Sequence, residues 1–179
     1  MRYNITMRTR RILPYLLLAF GIFFLLGSGA YLWLTQRMAE PAIAPTPQKI
    51  AGLPVFALDT GAQAAREIGQ LHGKGFPLTE AAVALYQGAE GNIQLWVAGA
   101  PLRSMAAGLL KSMRESIAAS TGLPFRPAGE RVVDGRTVFL LDGMGQKHFC
   151  FQSGNLVIWL AADPSLAETA LQEVLTFYP

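Results

Sequence analysis

The sequence predicts a single membrane-spanning helix followed by a two-layer α+β domain, in which about three helices pack on an antiparallel sheet. Three observations carry this reading. Residues 12–34, ILPYLLLAFGIFFLLGSGAYLWL, contain no charged side chain. Beyond residue 50, short apolar runs of two-residue period alternate with stretches whose apolar residues recur every three or four positions. Turn dipeptides such as Asp134-Gly135 separate the short runs, which is how hairpins, and hence antiparallel pairs, announce themselves.

At the rise of an α-helix, residues 12–34 extend roughly 35 Å, enough to cross a hydrocarbon layer of about 30 Å with some tilt. A helix satisfies its own backbone hydrogen bonds where water is absent. Arg2, Arg8, Arg10 and Arg11 precede the stretch with no acid among them. Residues 1–11 therefore read as a basic cytoplasmic tail, able to touch anionic lipid, and everything after residue 34 as periplasmic or extracellular. Tyr15 at one end and Tyr31 and Trp33 at the other suit the two interfaces.

A cleaved signal peptide is the competing reading, because Ser28-Gly29-Ala30 and Ala42-Ile43-Ala44 both resemble small-residue cleavage sites. Tyr31 to Leu34 prolong the apolar run past the first, and Pro45 follows the second directly. Thr9-Arg10-Arg11 is a poor twin-arginine match, and the only cysteine, Cys150, is far from the span, so a lipid-anchored export signal is not indicated. An uncleaved anchor is the expectation.

The pI of 9.2 invites a nucleic-acid reading, but the charge is in the wrong place. From residue 50 onward nine Lys or Arg stand against eleven Asp or Glu, a net of −2. A phosphate-binding surface needs its cations on the folded domain, and here the excess sits on the tail. One cysteine permits no internal disulfide, so the domain must be held by its core, for which about 130 residues suffice.

Prolines 41, 45 and 47 predict residues 35–49 to be an extended, semi-rigid spacer, with the folded domain over 50–179. Thr60 and Gln63 form a capping-box pattern for a first helix with Ala64, Ile68 and Leu71 on one stripe and Gly73 at its end. Two strands follow, Ala82 to Gln87 and Asn92 to Ala98; in the second, Ile93, Leu95 and Val97 alternate with Gln94 and Trp96. Pro101 opens a second helix whose apolar stripe is Leu102, Met105, Leu109, Met113 and Ile117, ended by Gly122. Two hairpins come next, turning at Asp134-Gly135 and at Ser153-Gly154-Asn155, with central strands apolar on both faces. Asp163-Pro164 then starts a last helix with Leu166, Ala170, Leu171, Val174 and Leu175 on its stripe. Strands followed by a helix occur twice, but no residue-level repeat accompanies them.

Chemistry-bearing residues are few. His148 and Cys150 lie two apart on a strand and share a face, a pairing that suits zinc or copper; yet four ligands are needed, and His72 is the only other histidine. Phe149 and Phe151 are expected to point inward, which leaves Cys150 on the outward face. Leu71 to Phe76 sets His72 and Lys74 among glycines, an anion cradle in outline, but it follows a helix instead of opening one, so a glycine cap is the better account. Gly143-Met144-Gly145-Gln146 reads as a turn. Glu67, Glu80, Glu90 and Asp142 are expected as surface acids, Met105 and Met113 as core, and no serine occupies a nucleophile elbow.

The sequence accordingly assigns no catalytic, cofactor-binding or metal-ligating residue. It predicts a non-catalytic, membrane-anchored interaction or accessory domain, whose partners are the bilayer and an envelope or membrane protein, with no nucleic acid. The alternative is a periplasmic small-ligand or metal-binding domain with a cleft between sheet and helices, and a hydrolase with a dispersed site ranks third.

Overall fold

A computed structural model describes residues 6–71, 77–119, 122 and 124–179. The chain divides into two compact units, Met1–Gln36 and Arg37–Pro179. Helix α1 (Thr6–Ala39) includes the stretch Ile12–Ala39, which is long and apolar enough to cross a membrane, a property that signal sequences share. Its large apolar side chains, from Ile12 to Trp33, are exposed, as a lipid-facing surface requires.

The second unit is a curled antiparallel sheet with three further helices. Short strands β1 (Ala42–Ile43) and β2 (Lys49–Ile50) lead into β3 (Leu53–Thr60), α2 (Gly61–Leu71), β4 (Glu80–Gly88) and β5 (Gly91–Gly99). Helix α3 (Arg103–Ala119), strands β6 (Phe125–Val133), β7 (Arg136–Gly143), β8 (Gln146–Ser153) and β9 (Leu156–Ala162), and helix α4 (Ala167–Phe177) complete it. The sheet order is β2-β3-β4-β5-β9-β8-β7-β6, and β1 lies parallel to the start of β4. The pairing of β5 with β9 joins the two hairpin systems into one sheet.

The hairpins turn where the sequence predicts. Asp134 and Gly135 have φ of 51° and 74°, and Met144 and Gly145 have 53° and 79°, the left-handed pairs that match strand twist in a two-residue turn. Strand β3 is an addition to the expected element order. Its burial does not alternate, Phe56 and Leu58 are exposed, and a bulge interrupts its register with β4 between Val55 and Ala57, so no clean strand period marks it in the sequence.

Helices occupy both faces of the sheet, so the expected sheet-plus-helix packing holds on each face separately. Helix α4 covers one face, burying Leu171, Val174 and Leu175 against Leu95, Phe151, Ile158 and Leu160. Helices α2 and α3 cover the other, against Val83, Ala98, Phe139, Cys150 and Val157. This is why β8 is buried on both faces, and why Cys150, expected on an outward face, is 1% exposed.

Three local expectations are corrected. The stripe of α3 is turned toward Ala106, Leu110 and Ile117, leaving Leu102 and Met105 exposed. The Gln63 amide donates to the Asp59 carboxylate at 2.6 Å in place of the capping-box bond, in which its Oε1 would accept from the Thr60 N–H. Helix α4 starts at Ala167, because the Asp163 carboxylate is used elsewhere: it accepts from the Asn92 N–H at 2.8 Å and from Gln146 Nε2 at 3.0 Å, pinning β5 and β8 at one end.

The proline-rich segment, expected as a free spacer, is extended but laid on the domain. Ala42 N donates to the Thr79 carbonyl, and Ala44 and Ile50 are buried in the α4-side core. Two buried tyrosines hold it: Tyr86 Oη donates to the Pro47 carbonyl at 2.7 Å and Tyr178 Oη to that of Pro45 at 2.5 Å. A phenol taken out of water needs an acceptor, and a proline carbonyl with no ladder partner supplies one. Burial pushes both phenols well above the usual tyrosine range. Arg136 closes the α4 C-terminus, donating to the carbonyls of Leu175 and Tyr178.

Candidate functional site

On the α2/α3 side a cleft of about 680 Å³ opens over the sheet, lined by residues of both helices. Its floor follows from strand period and register. Gln94, Trp96 and Ala98 project from one face of β5, and Trp96 pairs directly with Trp159 on β9. The indoles meet at 72° with centroids 6.4 Å apart, forming a corner at the base. Ile68 and Glu67 of α2 form one wall, and Leu109, Met113 and Ile117 of α3 the other, with Ser112 and Ser116 on the rim. Phe125 and the Met144 turn close the far end.

His148 lies under that end and is 3% exposed. Trp159 Nε1 can only donate, so His148 Nδ1 accepts at 3.0 Å and its Nε2–H donates to the Gly143 carbonyl at 3.1 Å. Both ring nitrogens are thereby engaged, and the ring is neutral. Burial lowers its pKa, against weaker opposing effects of the Gly143 carbonyl and Asp142. Phe125 packs edge-on to both rings, at 4.9 Å from His148 and 5.3 Å from Trp159. His148 thus orients Trp159, and its nitrogens offer neither a metal lone pair nor a general base.

Cys150, two residues on, faces a separate hollow of about 410 Å³ between α3 and β6–β7. Burial pushes its thiol far above the ordinary range, so it remains protonated and unreactive. Arg114 spans that hollow, stacked 3.4 Å from the Phe139 ring centroid and paired with Glu130. Among the described residues no three His, Cys, Asp or Glu side chains converge as metal ligands.

Of the acids singled out from sequence, Asp142 pairs with Lys147 at 2.7 Å and Glu80 accepts from Asn155 Nδ2 at 3.2 Å. Glu67 alone stands in a cavity, and the described ion pairs include neither it nor the adjacent Asp59. Its pKa is raised, first by burial and then by the Asp59 carboxylate. The Trp96 N–H acts in the opposite sense from nearby, yet it is buried and closes no hydrogen bond. The His72/Lys74 stretch lies outside the described residues.

Sequence reasoning missed the tryptophans. Trp96 occupied the minority face of a strand, which was the available signal, but its pairing with Trp159 is set by a strand contact across more than sixty residues. No protein family, no curated protein and no solved structure matches this chain.

Proposed function

We propose that this chain is a membrane-anchored, non-catalytic binding domain that takes a small organic molecule in the cleft between α2 and α3. The observation that carries the reading is the cleft itself: an apolar concavity of ligand size with an indole corner at its base and a few polar groups at its rim. The absence of reactive groups at its floor supports binding over turnover, since His148 is held neutral by two hydrogen bonds and Cys150 faces elsewhere. The arginines before an uncharged span support an anchor with its N-terminus in the cytoplasm and the domain outside, in the periplasm or at the cell surface. Anchoring would keep the domain near ligands that arrive at or leave the membrane.

The test is a thermal-shift screen of apolar compounds on the full chain in maltoside detergent, repeated with Ser116→Trp, which places a large ring at the cleft mouth. Binders should raise Tm in the wild type and lose their effect in the variant. Equal shifts in both proteins would remove the cleft from the account.

A second reading is docking of an envelope or membrane protein, favoured by Phe56 and Leu58, which β3 presents to solvent at 68% and 46% exposure. Charged residues at both positions should then abolish co-purification of a partner while leaving the ligand response intact.

A further inference from the structure

Resting on the cleft reading above, we infer that the preferred ligand is an organic cation, a protonated or quaternary amine on an apolar body. The inference stands on what the cleft offers to charge. Trp96 and Trp159 meet edge to face at 72° and both line the cleft, so indole π-surface borders one corner of it, and such a surface attracts a desolvated cation. Glu67 is the only charged side chain among the described residues lining the cleft, and Asp59 lies beside it. The described ion pairs neutralise neither acid.

Among the described lining residues none opposes a positive guest. His148, the one basic group at the floor, is neutral because each nitrogen has its partner. Gln94, Ser112 and Ser116 are uncharged, and Ser112 and Ser116 lie at the mouth, where an ammonium retains part of its hydration. The Trp96 N–H, buried without an acceptor, lies on the Glu67 side, so acid and ring face act on the same end of the ligand. An anionic guest would meet Glu67 and the nearby Asp59 with no compensating base among the described lining residues, which disfavours fatty-acid and phosphate headgroups. The −2 balance of the domain past residue 50 acts in the same direction at longer range.

Three probes of one shape separate charge from shape: benzyltrimethylammonium, its uncharged carbon analogue neopentylbenzene, and the anion phenylacetate. Each is titrated into the full chain in maltoside detergent, with Trp33→Phe so that fluorescence reports Trp96 and Trp159 alone. The cation should bind about tenfold more tightly than the neutral analogue, with phenylacetate weakest. Glu67→Gln, at a half-buried position on the cleft wall, should erase most of that preference by weakening the cation far more than neopentylbenzene. If the neutral analogue binds as tightly as the cation and Ser116→Trp blocks both, the charge inference falls and the cleft reading stands. If none of the three binds, both fall.

Discussion

The two faces of one sheet are finished differently. On the α4 face, strand residues, helix residues and the proline-rich strap fill the space, and even the phenols of Tyr86 and Tyr178 have acceptors. On the α2/α3 face apolar strand residues are also buried, yet a cleft remains whose lining comes from both helices and includes two indoles. The same backbone supports both, so the difference lies in the coverings. A single helix centred on the sheet seals it, whereas two helices placed side by side leave a seam. The closed face supplies stability, and the seam is where the proposed ligand would sit without loosening the fold.

Substitutions should separate the faces, and the largest effect belongs to the closed one. Leu171 is fully buried on α4, and Leu171→Ala should cost about 2–5 kcal/mol through lost transfer energy and a new cavity. Urea unfolding read by tryptophan fluorescence measures it. A loss below about 1 kcal/mol would mean that the α4 face is not the closed core described.

Next come the strap hydrogen bonds. Tyr86→Phe and Tyr178→Phe leave the Pro47 and Pro45 carbonyls without their donors, and each should cost about 1–2 kcal/mol. Hydrogen exchange at Ala42 and Ala44, whose N–H groups bond to β4 and the residue before it, should quicken in both variants.

Acid should act on the cleft face. The folded pKa of His148 lies below its unfolded value, so fewer protons bind to the folded state across that interval. The stability from neutral His148 is complete above the unfolded pKa of about 6.5 and is lost as pH falls through the folded value. Melting curves between pH 8 and pH 5 should show a decline that His148→Gln flattens. A wild-type curve no steeper than that of the variant would contradict the neutral Nδ1 acceptor.

The smallest stability change should accompany the largest binding change. Ser116→Trp alters an exposed helix position, so stability should move by less than about 0.5 kcal/mol while ligand response disappears. Chemical denaturation beside the thermal-shift screen checks both halves.

Legibility in the sequence divides along similar lines. The uncharged stretch of 12–34, the Asp134-Gly135 turn and the α4 stripe from Leu166 to Leu175 are local patterns, and each appears in the structure where its residues predict. What depends on distant neighbours was hidden. The burial of Cys150 needs a helix on each side of β8, the fixing of Asp163 needs Asn92 and Gln146, and the strap needs two tyrosines from β4 and the C-terminus. A cleft between sheet and helices was expected only for the alternative reading, and its lining was hidden, because it is a space between elements. Trp96 and Trp159 become one corner only when β5 pairs with β9.

The three indole N–H signals of the ¹⁵N-labelled full chain test the central claim most directly, because Trp96 and Trp159 border the cleft and Trp33 lies on α1. On titration with benzyltrimethylammonium, the account predicts that the Trp96 and Trp159 resonances move together and saturate while that of Trp33 stays in place. Three stationary signals, or a Trp33 shift as large as the other two, would contradict it.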